Sequence, residues 1–87
     1  MDTKLVFKII TPEGFDFTEE VDEVVAPGSE GEFGVFPSHI PLITTLNNGV
    51  VSYRKGTLKK DIDITAGYVE VGPDRVYILA DKAQIKE

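Results

Sequence analysis

The sequence has no cysteine. Disulfides, thiolate nucleophiles and zinc–thiolate sites are therefore excluded. Its single histidine, His39, also rules out metal sites built on two or three histidines. No run approaches the roughly 20 apolar residues of a membrane-spanning helix. The first residues alternate polar and apolar instead of placing a basic segment before a long apolar one, so no signal peptide is expected. Positive charge is missing over a long stretch, with no lysine or arginine between Lys8 and Arg54.

What is present fits one small globular domain. A chain of 87 residues has room for one core and no deep enclosed pocket. At this size folding hides only about 60–65% of the unfolded surface. The net charge is −6. Glu13, Asp16, Glu19, Glu20, Asp22, Glu23, Glu30 and Glu32 all fall in the stretch without lysine or arginine. Such a surface repels phosphates, so nucleic-acid binding is disfavoured. A basic partner surface is the better match. The plainer reading is that the acids keep a small protein soluble.

Turn signals punctuate the chain. Thr11-Pro12-Glu13-Gly14 suits a tight turn, and Pro27-Gly28 a type II turn. Asn48-Gly49 reads as a hairpin. Lys55-Gly56-Thr57 and Gly72-Pro73-Asp74 mark two further reversals. Between them the residues alternate with period two. Leu5, Phe7 and Ile9 share one face; Leu58, Ile62, Ile64 and Ala66 share another. Val69 and Val71 oppose Tyr68 and Glu70; Val76, Ile78 and Ala80 oppose Tyr77 and Leu79. These patterns predict an all-β fold, a sandwich or barrel of about eight to ten short strands in a single domain. Two segments depart from them. In "EEVDEVVAP" the alternation slips, and a bulge near Glu23 would restore it. "DKAQIKE" alone permits a helical turn.

From Phe33 to Tyr53 no residue carries a formal charge, taking His39 as neutral. A strand sends only alternate side chains into a core. Here both alternating sets are partly apolar: Leu42 and Leu46 on one, Ile43 on the other. Part of this apolar surface is therefore expected to stay exposed, as protein interfaces do. The competing reading is that a second sheet or a loop covers both faces.

The chemical candidates lie in "GSEGEFGVFPSHIPLI". Glu30 and Glu32 would share a face of a strand, and paired carboxylates run acid–base chemistry when burial separates their pKa values. Gly28, Gly31 and Gly34 instead suggest an exposed, tightly turned loop. A metal site would need Glu30, Glu32 and His39 to converge, which the spacing does not require. His39 as a base lacks a nucleophile, because Ser38 is its sequence neighbour and would point the other way. The glycine-rich run lacks the Gly-Lys-Ser/Thr ending of a phosphate loop. No catalytic residue, metal, nucleotide or cofactor is assigned.

Together "GSEGEFGVFPSHIPLITTL", "NNGVVSYR", "TAGYVEV" and "VYILAD" resemble the N-terminal domain of the epsilon subunit of F-type ATP synthases, called delta in mitochondria. The resemblance runs from about residue 3 to residue 83. It implies a flattened β-sandwich of about ten strands. It implies a non-catalytic subunit of the central stalk, the rotor that couples ion flow to ATP synthesis. One face would pack on the gamma subunit, and one end would rest on polar loops of the c-ring, where the family carries a conserved arginine. Membrane association would come only through the complex, at the cytoplasmic face of the bacterial inner membrane. By position, the c-ring contact falls on Ser29, Glu30, Gly31 and Glu32, with Glu32 foremost. The gamma contact falls on Thr11, His39 and Thr44, with Ile40, Leu42 and Ile43 nearby. The family usually continues into a C-terminal hairpin of two helices that can inhibit ATP hydrolysis and in some members binds ATP. This sequence ends at Glu87 without it, so residues 1–87 are read as the sandwich domain alone. Neither property of the hairpin is carried over. The alternative is a free-standing β-sandwich that binds a small ligand or peptide at an edge strand. A metal-dependent hydrolase using Glu30, Glu32 and His39 is a third.

Overall fold

Alternation of buried and exposed side chains sets the strands. The computed structural model describes residues 4–86. It contains β1 (Leu5–Ile10), β2 (Asp16–Val21), β3 (Glu23–Gly28), β4 (Gly31–Val35), β5 (Leu42–Leu46), β6 (Gly49–Lys55), β7 (Leu58–Gly72) and β8 (Arg75–Lys86). The pairing order is β2-β1-β8-β7-β5-β3-β4, with β6 also joined to β3 and β7. All pairs are antiparallel except β1 with β8.

Two layers share one core. Leu5, Phe7 and Ile9 of β1 pack in the same cluster as Val24 and Ala26 of β3 and Val51 of β6. The Phe7 ring lies 5.7 Å from Phe17 and 5.4 Å from Tyr53. Strand β1 makes no ladder with β6, so Tyr53 reaches Phe7 across the space between layers. Phe7 is fully buried, which stabilises the fold by about 1.5–3 kcal/mol. Burial also pushes the Tyr53 phenol pKa up, with the nearby Glu19 carboxylate adding to the effect.

The hairpin β7–β8 belongs to both layers. Its first half pairs with β6 and its second half with β5. The two halves bury opposite phases: Ile62 and Ile64 in the first, Val69 and Val71 in the second. The phase changes at Ala66, whose φ is +24°. Ala66 and Asp81 are the one opposed pair missing from the β7–β8 ladder. Next door, Leu46 pairs with Gly67 and Gly49 with Ile64, leaving Asn47 and Asn48 unpaired opposite Ala66 and Thr65. Asn47, Ala66 and Asp81 therefore line up as a crease across three strands. The Asn48 carboxamide oxygen accepts the Ala66 N–H at 2.8 Å and holds that bend. At Gly67 the strands approach so closely that a Cβ would overlap the Leu79 carbonyl oxygen.

Several sequence expectations change here. Asn48-Gly49 is no hairpin: β5 and β6 run in line along one edge of β7, and the asparagines span the crease. The strands number eight because β7 and β8 pass unbroken through it. Ala66 and Leu58 are exposed, since the inward phase holds only near Ile62 and Ile64. Within "DKAQIKE", residues 81–86 are the distal part of β8 and not a helical turn, and Glu87 lies outside the described residues. The turn expected at Pro27-Gly28 lies two residues later, at Ser29-Glu30, between the paired Gly28 and Gly31. The slip near Glu23 is a break at Asp22, not a bulge. Val21 pairs with Leu5 in one layer and Glu23 with Arg54 in the other.

That break is held by charge. The Asp22 carboxylate accepts the Lys4 ammonium at 2.6 Å and the Gly56 amide at 2.7 Å. The Lys4 hydrogen bond first, then the Gly56 amide, lower the Asp22 pKa below its usual 3.8. One carboxylate thus ties the start of β1 to the β6–β7 turn.

Candidate functional site

The chain presents two adjoining surfaces. The first is the β3–β4 hairpin. Glu30 sits in its tight turn, and Gly31 takes the φ of +132° that closes it. Glu32 follows on β4, opposite Pro27, and both glutamates are exposed. The Ser29 hydroxyl lies 2.6 Å from the Thr45 hydroxyl, and the Ser29 N–H donates to the Thr45 carbonyl at 3.0 Å. Those bonds fasten the hairpin tip to β5. Elsewhere the acidic stretch is partly neutralised: Lys55 meets Glu19, Lys4 meets Asp22 and Arg54 meets Glu23. Among the described residues, Glu30 and Glu32 make no salt bridge. Their charge faces outward without a counter-ion.

The second surface is apolar. Phe36, Ile40 and Ile43 are 54%, 76% and 73% exposed, so the uncharged stretch does leave apolar side chains in solvent. Strand pairing extends Ile43 into a broader face. Ile43 opposes Glu70, Glu70 opposes Tyr77, and Tyr77 opposes Lys8. In the next row Thr45, Tyr68, Leu79 and Ile10 lie side by side. Directly opposed residues share a face. This outer face therefore gathers residues that sequence reasoning left out of the site: Tyr68, Tyr77, Leu79 and Ile10. The signal was in the alternation, which already turned Tyr68, Tyr77 and Leu79 away from the core. What was missing was the register that sets them side by side. Arg75 binds Glu70 at 3.0 Å and lies 6.0 Å from the Tyr77 ring centre, balancing charge at the edge of the patch.

The residues expected to bind partners are not placed alike. Ile40 and Ile43 point into solvent. Leu42 packs against the core and Thr44 is half-buried on the same side of β5, opposite buried Val69. Thr11 is 5% exposed, and its hydroxyl accepts the Phe15 N–H at 3.1 Å, so it builds the β1–β2 turn. The same residue lines an open groove of about 600 Å³ with Ile10, Tyr68 and Leu79. His39 is half-buried, and its Nδ1–H donates to the Ile40 carbonyl at 2.6 Å. A second groove of about 510 Å³ brings the two expected contact segments together: Glu30, Gly31 and Glu32 line one side, Leu42, Ile43 and Thr44 the other.

Glu30, Glu32 and His39 do not converge: no group of three acidic or histidine side chains among the described residues is placed to hold a metal. No helix of the described residues is long and apolar enough to cross a membrane. The sandwich thus carries an acidic tip beside an apolar face.

Comparison with known proteins agrees with the fold. The family described as ATP synthase, Delta/Epsilon chain, beta-sandwich domain matches residues 4–86. The ATP synthase epsilon chain 2 of Syntrophotalea carbinolica is 47% identical over 87 residues, 100% of this chain and 63% of that one. The chain thus spans less than two thirds of that relative. The epsilon chain of Caulobacter vibrioides is 46% identical over 80 residues, 92% of this chain and 93% of that one. Two solved structures share the fold. A chain of the Euglena gracilis mitochondrial ATP synthase, solved as OSCP/F1/c-ring in rotational state 1, has a TM-score of 0.88. It is 22% identical, with 98% of this chain and 55% of that chain covered. A chain of the Tetrahymena thermophila mitochondrial ATP synthase central stalk and c-ring has a TM-score of 0.75 at 17% identity. That match covers 92% of this chain and 65% of the other. With the family matched along nearly all of its length, the chain belongs to the ATP synthase delta/epsilon-chain family, as its beta-sandwich domain.

Proposed function

We propose that this domain is a non-catalytic part of the ATP synthase rotor, standing between the gamma subunit and the c-ring and transmitting torque. The observation that carries this reading is the pairing of two unlike surfaces on one sandwich. Glu30 and Glu32 form an exposed acidic tip without a salt bridge among the described residues. It suits basic polar loops such as those of a c-ring. Phe36, Ile40, Ile43, Tyr68 and Leu79 form exposed apolar surface that suits a lasting protein contact. The gamma subunit is the partner assigned to that side, with Thr11 and His39 at its border. Leu42 and Thr44 support this surface from the core side of β5. The complex would sit at the cytoplasmic face of the bacterial inner membrane, with this domain attached only through its partners.

Glu32→Lys tests the acidic tip. Glu32 is exposed on β4, so its replacement changes stability by less than about 0.5 kcal/mol. Ion-driven ATP synthesis in reconstituted membranes is expected to fall while thermal unfolding of the free chain stays put. Unchanged synthesis would remove Glu32 from the contact. Hydrogen exchange of residues 36–46 on adding gamma tests the other side, where protection is expected.

A further inference from the structure

Six residues, Phe36 to Pro41, link β4 to β5. Among them Ser38 has a φ of +73°. Residues with a Cβ seldom take this left-handed conformation, apart from asparagine and aspartate. The Ser38 N–H donates to the Pro73 carbonyl at 2.7 Å. Pro73 lies in the two-residue turn closed by Gly72 and Arg75, at the end of the β7–β8 hairpin. The next carbonyl of that turn, on Asp74, accepts the Val6 N–H of β1 at 2.9 Å. The link is therefore tied at its strained residue to a turn that is itself tied to β1.

The largest apolar side chains of the link stay outside the core. On one side of Ser38, Phe36 is 54% exposed; on the other, Ile40 is 76% exposed. The His39 ring, bonded to the Ile40 carbonyl, stiffens the step between them. A segment that accepts backbone strain while leaving two large apolar side chains in solvent breaks local rules, as functional segments do.

We propose that Ser38 is a positioning residue for docking. Its left-handed backbone, fixed by the Pro73 carbonyl, holds the link in its bound shape, so that Phe36 and Ile40 meet gamma already ordered. Ordering interface loops before contact strengthens binding by removing the entropy lost on association. This inference rests on the reading that the segment faces gamma.

The test uses the full chain with purified gamma and three substitutions at Ser38. Glycine and asparagine tolerate the left-handed region, whereas a β-branched side chain does not. Ser38→Gly and Ser38→Asn should bind gamma within about threefold of the wild type, and Ser38→Val about tenfold more weakly or worse. In the free chain, slow hydrogen exchange at residue 38 should persist in the Asn variant and be lost in the Val variant. Ile40→Ser, at a side chain far out in solvent, should keep the wild-type unfolding temperature and also bind about tenfold more weakly. The idea is overturned if folded Ser38→Val or Ile40→Ser binds like the wild type. It is overturned equally if Gly and Asn lose as much as Val, which would assign the effect to the hydroxyl. Wild-type chain that fails to bind gamma while residue 38 exchanges slowly would overturn the docking reading, and the positioning role with it. Fast exchange at residue 38 beside intact gamma binding would refute the positioning role alone.

Discussion

Gly67→Ala adds a single methyl group at the crease, and the structure gives its consequence. The new Cβ would overlap the Leu79 carbonyl oxygen and stand 2.8 Å from the Ala80 Cα. Both obstacles are main-chain atoms of the paired strand, so no rotamer change relieves them. Strand β8 would have to retreat by about 1 Å or more to clear the Leu79 carbonyl oxygen, the nearer of the two obstacles. Two effects oppose each other. Removing a glycine from the unfolded chain stabilises by about 0.4–1 kcal/mol. Overpacking against backbone costs about 1–3 kcal/mol. Because both obstacles are main-chain atoms in overlap, the overpacking cost lies at the upper end of its range and wins, for a net loss of about 2 kcal/mol. In a domain of this size that lowers the melting temperature by about 8–16 °C. Gly34→Ala is the control, because its nearest contacts would be 3.8 and 3.9 Å away and its φ is not positive. It should be neutral or slightly stabilising. Thermal and urea unfolding followed by circular dichroism measures both. If Gly67→Ala stayed within about 0.5 kcal/mol of the wild type, the close approach at the crease would be refuted.

Two other changes probe the joints of the fold. Asp22→Asn removes a carboxylate whose pKa is lowered below 3.8 by Lys4 and by the Gly56 amide. A lowered folded-state pKa contributes stability that is full above the unfolded value and disappears as pH falls through the folded one. The stability gap between wild type and Asp22→Asn should therefore be constant near neutral pH and shrink as pH drops below 3.8; a gap that persisted down to about pH 2 would contradict this. Asn48→Ala removes the acceptor of the Ala66 N–H. It should cost about 0.5–1.5 kcal/mol by chemical denaturation, and a cost near zero would mean the amide does not hold the bend.

The crease explains why the acidic hairpin and the exposed apolar face adjoin. Strand β5 lies beside the second half of β7 and hands over to β6 where the sheet bends. The Ser29–Thr45 contacts then draw the acidic hairpin up to the strand that carries Ile43. Segments separate in the sequence thus border one groove, Glu30 to Glu32 on one side and Leu42 to Thr44 on the other.

The sequence by itself determined the local features. Period-two alternation gave the buried faces of β1, the later part of β7 and β8, because each strand residue must choose a side. The uncharged run from Phe33 to Tyr53 announced exposed apolar surface, and Phe36, Ile40 and Ile43 supply it. The family motif marked Glu30, Glu32 and His39 for partners, although motif position cannot show that Thr11 is buried in a turn or that Leu42 faces the core. Tertiary structure decided what depends on register. Asn48-Gly49 has the local chemistry of a hairpin, yet the chain runs straight on because β7 offers both flanking segments one continuous edge. Ala66 leaves its expected face because the layers part there. Tyr68, Leu79 and Ile10 become one surface only when three strands align, and a contact across strands is a property of their pairing, which no single segment encodes.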